Sequence, residues 1–404
     1  MKTIVFVFWI ILLTSLDINA QINLVGASIN AGNIDILKWQ ALDSASVTAH
    51  PTILQGYVFG SSVFDAYNSN YYLTGITSNS SGLLSFNTVT NDATLIPYNT
   101  FSSITEIDMS TGKIYNLTSD SIGYITVNEF DINTGTDSVL GVISEPGILG
   151  IIADATGFDS NNGILYYIGY DTIPSTCLYG IPVRNPVFSW SKTTLLTTAP
   201  GNNFSSVNYD NVNNILYASN AEYDSAYNYT GNRVVEIDPV TGEVISRGIL
   251  TGFPYYLAGS SSFDQNSGSF LLVGFDTAFI QRMIIFNTFT NTFETGFVPG
   301  NVSEIVCDNY AFAQSRYGIV SVNEKDKQDV SVFPNPATSK FTLRVKGFED
   351  SFTAKIFNVN GRECFSGQIH NPETEISTEF LSKGFYYVTL ENQKLRQTHK
   401  LIVE

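Results

Sequence analysis

The residues of this chain best suited to chemistry are three carboxylates, Glu106, Asp154 and Glu304. They stand in short strand-like segments where the equivalent segments elsewhere carry small residues, such as Ser61-Ser62, Ser205-Ser206 and Ser260-Ser261. Asn208 interrupts the small-residue pattern in the same way. A carboxylate buried without a partner is costly, so acids at such positions call for water, a cation or a ligand. One expectation is a water-filled channel with solvated carboxylates. A second is a pair of acids that acts on a polysaccharide as a hydrolase or lyase, which requires a particular separation. Other catalytic templates are missing: there is no G-x-S-x-G, H-E-x-x-H, P-loop or C-x-x-C. His50 is the only histidine between residues 21 and 323, which excludes a multi-histidine metal site and leaves it as the sole candidate base of a serine triad. Its place before Pro51 predicts a turn residue instead.

Aromatic rings form the second candidate set. Tyr57, Tyr98, Phe101, Phe204, Phe253, Tyr255 and Tyr256 lie in or near segments that open on a proline. Exposed rings with Asn and Gly neighbours suit sugar rings or peptide segments, whereas buried ones merely pack between sheets. Tyr98, Phe253, Tyr255, Tyr256 and Asn208 are the expected ligand-binding residues, with Phe253-Pro254-Tyr255-Tyr256 the densest patch. Asp159 and Asn161, in the turn Asp159-Ser160-Asn161-Asn162-Gly163, are the calcium candidates. The spacing is not that of an EF-hand loop, and a turn aspartate that accepts from nearby amides explains the same residues. No other cofactor is expected.

These side chains must be positioned by repeated elements. An apolar residue, Asp, a polar turn and a second apolar segment recur at Asp65, Asp108, Asp159, Asp210, Asp264 and Asp308, at intervals of 43, 51, 51, 54 and 44. Prolines keep step: Pro51, Pro97, Pro146, Pro200, Pro254 and Pro299. A further Asp or Asn before a Thr-containing turn follows at Asn87, Asp131, Asp238 and Asn287, and the third repeat lacks it. Two hairpins in about 49 residues make one four-stranded propeller blade. The expected fold is all-β: a six-bladed β-propeller over residues 21–323. Its last repeat has strands near 302–308 and 310–314 and then runs out of chain. Strand-like pieces such as Ile34-Asp35-Ile36-Leu37 are expected to complete that blade and close the ring.

Charge separates two regions. Residues 21–323 hold 25 acids and 8 bases, whereas residues 324–404 hold 11 of each. An acidic body argues against nucleic acid as a partner. Cys177, Cys307 and Cys364 fit no zinc or redox spacing, and their odd number excludes a full disulfide framework. Residues 1–20 combine Lys2, a short apolar run from Ile4 to Leu13 and a small residue at Ala20, the pattern of an export signal. No later apolar run is long enough to cross a membrane.

From residue 324 the strands alternate, as in Phe341, Leu343 and Val345, and turns are expected at Asn360-Gly361 and Lys383-Gly384. This predicts a small antiparallel β-sandwich. The segment from about residue 328 resembles the type A C-terminal sorting domain of the type IX secretion system of Bacteroidetes. The matching pieces are Phe333-Pro334-Asn335-Pro336-Ala337, Ile356-Phe357-Asn358 through Gly361, Leu381 to Tyr386 including Gly384, and Lys400 to Val403. The resemblance implies contact with the type IX machinery, passage through the outer membrane, tail removal, and release or attachment at the surface. The body is similar, more loosely, to quinoprotein-like or YVTN-like bacterial propellers through its Asp-turn-Leu-Tyr and Asp-x-x-Thr-Gly pieces. The expected role is binding of a glycan or protein ligand without catalysis. An enzyme using Glu106, Asp154 and Glu304 is the alternative, and a structural or adhesive surface component a third.

Overall fold

The computed structural model describes residues 21–30, 32–58, 60–97, 104–121, 123–144, 154–170, 176–196, 201–226, 228–318, 330–345, 351–358, 362–391 and 396–404. The export signal, Tyr98, Phe101, Pro146, Pro200 and Gly361 lie outside them. The chain divides into two compact units, Met1–Ser321 and Val322–Glu404.

Among the described residues the first unit holds six antiparallel sheets, in each of which the strands follow one another laterally from one edge strand, here called innermost. In the first sheet the innermost position is split between Gly56–Tyr57 and Val63–Asp65, both paired to Asn70–Ile76. The other sheets begin at Ile104–Ile107, Thr156–Asp159, Gly201–Asp210, Tyr255–Asp264 and Val302–Cys307. These innermost strands lie each against the next in chain order, and Val302–Cys307 lies against both Tyr255–Asp264 and Val63–Asp65. Asn23–Asn30 pairs with Val302–Cys307, followed outwards by Asn33–Gln40 and Asp43–Pro51. The sixth sheet is therefore shared between the two ends of this unit.

Local chemistry explains the repeat. Each repeat aspartate ends or directly follows its innermost strand, and its carboxylate accepts from turn amides. Asp65 Oδ1 accepts from Tyr67 N at 2.8 Å, Asp159 Oδ1 from Asn161 N at 2.9 Å, and Asp210 Oδ1 from Val212 N at 2.8 Å. These are Asx turns, which give the chain a defined reversal between the first and second strands. Between the sheets, rings and aliphatic side chains interdigitate, as in the stacked pairs Tyr115–Phe158, Tyr166–Tyr209 and Tyr217–Phe263.

Two expectations are corrected here. The strand expected at 310–314 is helix α1, Tyr310–Tyr317. A strand there has no edge to join, because the place beside Val302–Cys307 is taken by Asn23–Asn30. The helix buries Phe312 and Ala313 and ends at Gly318, whose φ of 67° is left-handed. His50 is not a turn residue but lies in the outermost strand of the sixth sheet, with its ring 5.3 Å from that of Phe86.

The second unit holds a three-stranded sheet of Val330–Phe333, Lys340–Val345 and Glu373–Ser377, and a four-stranded sheet. The latter runs Glu363–Ile369, Phe352–Asn358, Gly384–Glu391 and Arg396–Val403 in lateral order. Phe341, Leu343 and Val345 from one sheet share a core with Phe352, Ile356, Val388 and Leu401 from the other.

Candidate functional site

The innermost strands of all six sheets line one cavity of about 120 Å3, and Glu106, Asp154, Glu304 and Asn208 all face it. The acids singled out by sequence are thus brought together, and each is engaged by another sheet. Glu304 of the sixth sheet is fully buried; its two oxygens accept from Gly60 N at 2.6 Å and Ser62 Oγ at 2.8 Å. Glu106 of the second sheet accepts from Thr156 Oγ1 of the third at 2.7 Å. Asp154 reaches the fifth sheet, where Ser261 Oγ lies 2.9 Å from both of its oxygens. Asn208 Nδ2 donates to the same Ser261 Oγ at 2.7 Å. Asp154 adopts a left-handed φ of 60°, a conformation Asp tolerates better than most residues.

Burial dominates the electrostatics of this end. It pushes the Glu106 carboxyl up to about 7, against the Thr156 hydroxyl and with help from the charge of Asp154. Burial likewise holds Glu304 well above the ordinary carboxylate range, although Gly60 N–H and the Ser62 hydroxyl favour its ionised form and Asp154 opposes it. Burial, then Glu304, raises Tyr57, whose hydroxyl pairs with that of Ser303. Among the described residues no three His, Cys, Asp or Glu side chains are placed to hold one metal ion.

The other end of the same strands carries a feature the sequence reading missed. The residue directly after each repeat aspartate is Ala66, Met109, Ser160, Asn211, Gln265 or Asn309. Met109 N donates to Ser160 Oγ at 2.9 Å, Ser160 N to Asn211 Oδ1 at 2.7 Å, Asn211 N to Gln265 Oε1 at 2.8 Å and Gln265 N to Asn309 Oδ1 at 2.9 Å. The amide groups then donate back to the preceding sheet: Asn211 Nδ2 to Phe158 O, Gln265 Nε2 to Tyr209 O and Asn309 Nδ2 to Phe263 O. Each amide side chain so imitates a peptide group between two strands that do not pair directly. The belt stops at Ala66 and Met109. There α1 takes over: Ala313, Tyr310 and Tyr317 pack in one apolar cluster with Ala66, Phe64 and Met109. Tyr317 Oη donates to Asn161 Oδ1 of the third sheet at 3.2 Å. A polar residue in step with the last four repeats, at Ser160, Asn211, Gln265 and Asn309, was the signal available in the sequence.

The calcium candidates both make hydrogen bonds within and between the sheets. Asp159 accepts from Asn161 N, Asn162 N, Asn162 Nδ2 and Tyr209 Oη. Asn161 donates to Asn211 O and Asn214 Oδ1 and accepts from Tyr317.

The aromatic candidates separate. Phe204 is fully buried. Phe253 is also a core side chain, with its ring 6.0 Å from that of Phe293, so it offers no surface to a ligand. Tyr98 and the side chain of Tyr256 lie outside the described residues. Tyr255 is 55% exposed and stacks on Phe279, 71% exposed, at 5.8 Å and 19°. Phe279 was missed by sequence. Asp276 Oδ1 accepts from Ala278 N and Ile280 N, each at 2.9 Å, and this turn holds Phe279 out. A similar turn at Asp224 lies between Tyr223 and Tyr229, whose rings meet edge-on at 5.9 Å. Tyr229 Oη donates to Pro254 O at 3.3 Å, so these rings form one ledge across the fourth and fifth sheets. Register puts the ledge where the innermost strands begin, the end opposite the aspartate turns: Tyr255 faces Phe275, and Gly201 faces Tyr223.

Residues 331–404 match the secretion system C-terminal sorting domain. The chain therefore carries a type IX sorting domain and is an extracellular protein, secreted or attached at the surface. The body is an all-β repeat domain that resembles propeller and TolB-like folds. It is similar to TolB from Acinetobacter baumannii, at 14% identity and a TM-score of 0.52 over 71% of this chain and 66% of that one. The chain thus spans just under two thirds of that protein. Weaker likenesses, which decide nothing, are to a nidogen/laminin complex (15% identity, TM-score 0.48, 72% of this chain and 99% of that one) and to oligogalacturonate lyase from Vibrio parahaemolyticus (10%, 0.40, 68% and 84%). No curated protein sequence matches the chain. Among the described residues no helix is long and apolar enough to cross a membrane.

Proposed function

We propose that residues 21–323, exported by a signal in 1–20, form a closed six-bladed propeller that binds an extracellular glycan or protein ligand without catalysis. Residues 324–404 are its sorting sandwich. Ring closure is supported by the unbroken circuit of innermost strands and by the sixth sheet shared between both ends of the body. The observation that carries the binding reading is the ledge of Tyr223, Tyr229, Tyr255 and Phe279. Rings of this kind, with Tyr229, Tyr255 and Phe279 exposed and the last two stacked, lose water readily against the apolar face of a sugar or a peptide side chain. The charge of the body disfavours polyanions, so a neutral glycan fits better than a uronate polymer.

Binding of the full secreted chain to a panel of neutral and acidic polysaccharides, with new chain ends assayed in the same tubes, tests this reading. Saturable binding without product, lost in Tyr255→Ala, is expected. Release of reducing or unsaturated ends would refute it and favour the alternative, an enzyme using Glu106, Asp154 and Glu304. That alternative has one observation behind it: the three acids share a cavity, and Glu106 sits near neutrality. Against it, the described cavity of about 120 Å3 is well below the roughly 300 Å3 at which small-molecule sites begin.

A further inference from the structure

The four motif pieces of the sorting domain are far apart in sequence but adjacent in the fold. Asn358 of Ile356-Phe357-Asn358 pairs with Tyr386, and Gly384 pairs with Val403. Beyond the strand Arg396–Val403 comes the segment Phe333–Ala337. Ala337 forms a parallel bridge to Val403: its N–H donates to Ile402 O at 2.8 Å, and its carbonyl accepts from Glu404 N at 2.9 Å. One rung earlier a backbone ladder would need residue 335 to bond Lys400 O and Ile402 N. The Asn335 side chain does this instead: Nδ2 donates to Lys400 O at 2.7 Å, and Oδ1 accepts from Ile402 N at 2.9 Å. The flanking residues Pro334 and Pro336 carry no N–H and cannot extend a ladder themselves. A primary amide is the side chain that both donates and accepts in the geometry of a peptide group.

We propose that Asn335 is a positioning residue for export. Its amide extends the ladder by one rung and sets the strand Arg396–Val403 in place, and the export machinery reads the folded edge that results. The strand is otherwise held by Gly384–Glu391 on one side and by the single Ala337 bridge on the other, with Leu401 and Val403 in the core. Without the rung, Lys400 O and Ile402 N lose this partner, while the Ala337 bridge and the core contacts stay.

The test uses the full chain in a host with this export system. Asn335→Ala is compared with Phe341→Leu, a core change in the other sheet that lowers tail stability without touching the rung. Export is read as the fraction outside the cell, and hydrogen exchange and thermal unfolding are read on the purified chains. Asn335→Ala is expected to speed exchange at the Ile402 amide by about tenfold, the effect of one lost hydrogen bond. Export is expected to fall by a similar factor, while Phe341→Leu with an equal or larger loss of stability exports close to normally. Asn335→Ser, which keeps a hydroxyl for one partner, is expected between Asn335→Ala and the parent, and replaces Asn335→Ala should that chain not fold. Normal export of the Asn335 variants despite the faster exchange overturns the proposal. So does equal loss of export in Phe341→Leu at matched stability.

Discussion

At the aspartate turns Asn211, Gln265 and Asn309 each accept from one backbone N–H and donate to one carbonyl of the preceding sheet. Nearer the starts of the same strands Glu106, Asp154 and Glu304 accept from hydroxyls and, at Glu304, from the backbone N–H groups of Gly60 and Ser62. The difference is chemical. An amide donates and accepts, so a closed exchange between two sheets uses its capacity. A carboxyl group has no fixed donor: ionised it only accepts, and it gives a hydrogen bond only when protonated, the state burial favours for Glu106 and Glu304. The first end is a seam; the second holds sheets together at a cost in desolvation and stays receptive to water, protons or a ligand. The exposed aromatic ledge lies toward the receptive end, away from the seam.

The largest effect expected from this contrast is on the seam. Asn211→Ala removes an acceptor for Ser160 N and a donor for Phe158 O, both within the protein. A cost of about 2–4 kcal/mol is expected for two buried groups left unpaired, seen as a fall in Tm of several degrees. An unchanged Tm would show that the belt adds nothing.

The carboxylate end is tested by pH. The carboxyl of Glu106 lies near 7 in the folded chain against 4.5 for its ordinary value. A raised carboxyl favours the protonated folded state, so its contribution is full below about 4.5 and is lost as pH rises through about 7. The full range amounts to roughly 3 kcal/mol. Relief of the body's negative self-repulsion acts in the same direction, so the difference between the parent and Glu106→Gln isolates the residue. Thermal unfolding between pH 4.5 and 7.5 is expected to show a steeper loss in the parent. Parallel curves would remove the argument that this acid is held at a cost.

Glu304 sharpens the comparison further. Glu304→Ala leaves Gly60 N and Ser62 Oγ without their acceptor and is expected to cost about 1–3 kcal/mol. Glu304→Gln keeps an acceptor oxygen without the charge and is expected to lie near the parent or above it. Denaturant unfolding distinguishes the two, and equal losses would mean that charge is required there. The smallest effect is expected where α1 replaces the belt. Tyr317→Phe removes one hydrogen bond to Asn161, worth about 0.5–1.5 kcal/mol, while the ring stays packed beside Ala66 and Met109. A loss as large as that of Asn211→Ala would place the helix, rather than the belt, at the centre of this end.

Much of this was legible in the residues, because the signals were local. An aspartate two residues before the amides it binds is an Asx turn wherever it occurs, and its recurrence marked the sheets. Alternation marked Phe341, Leu343 and Val345 as core. The three acids were visible as departures from a small-residue pattern, and the structure puts them on one cavity. The seam was not read, although it occupies the next residue after each marker. Asn211 and Gln265 look like turn residues until another sheet is placed beside them. Phe253 and Tyr255 look alike in sequence; only packing against Phe293 sent one inwards.

The amino-acid order alone settled the two regions of the chain, the sorting address and the repeat of hairpins, since composition, motif and turn chemistry act over a few residues. Three features waited for tertiary structure: the helix after Cys307, the partners of each cavity acid, and the joining of Asn335 to Ile402. Each depends on which strand edge is already occupied and which donor lies opposite, and those are contacts between residues about 50 or more positions apart.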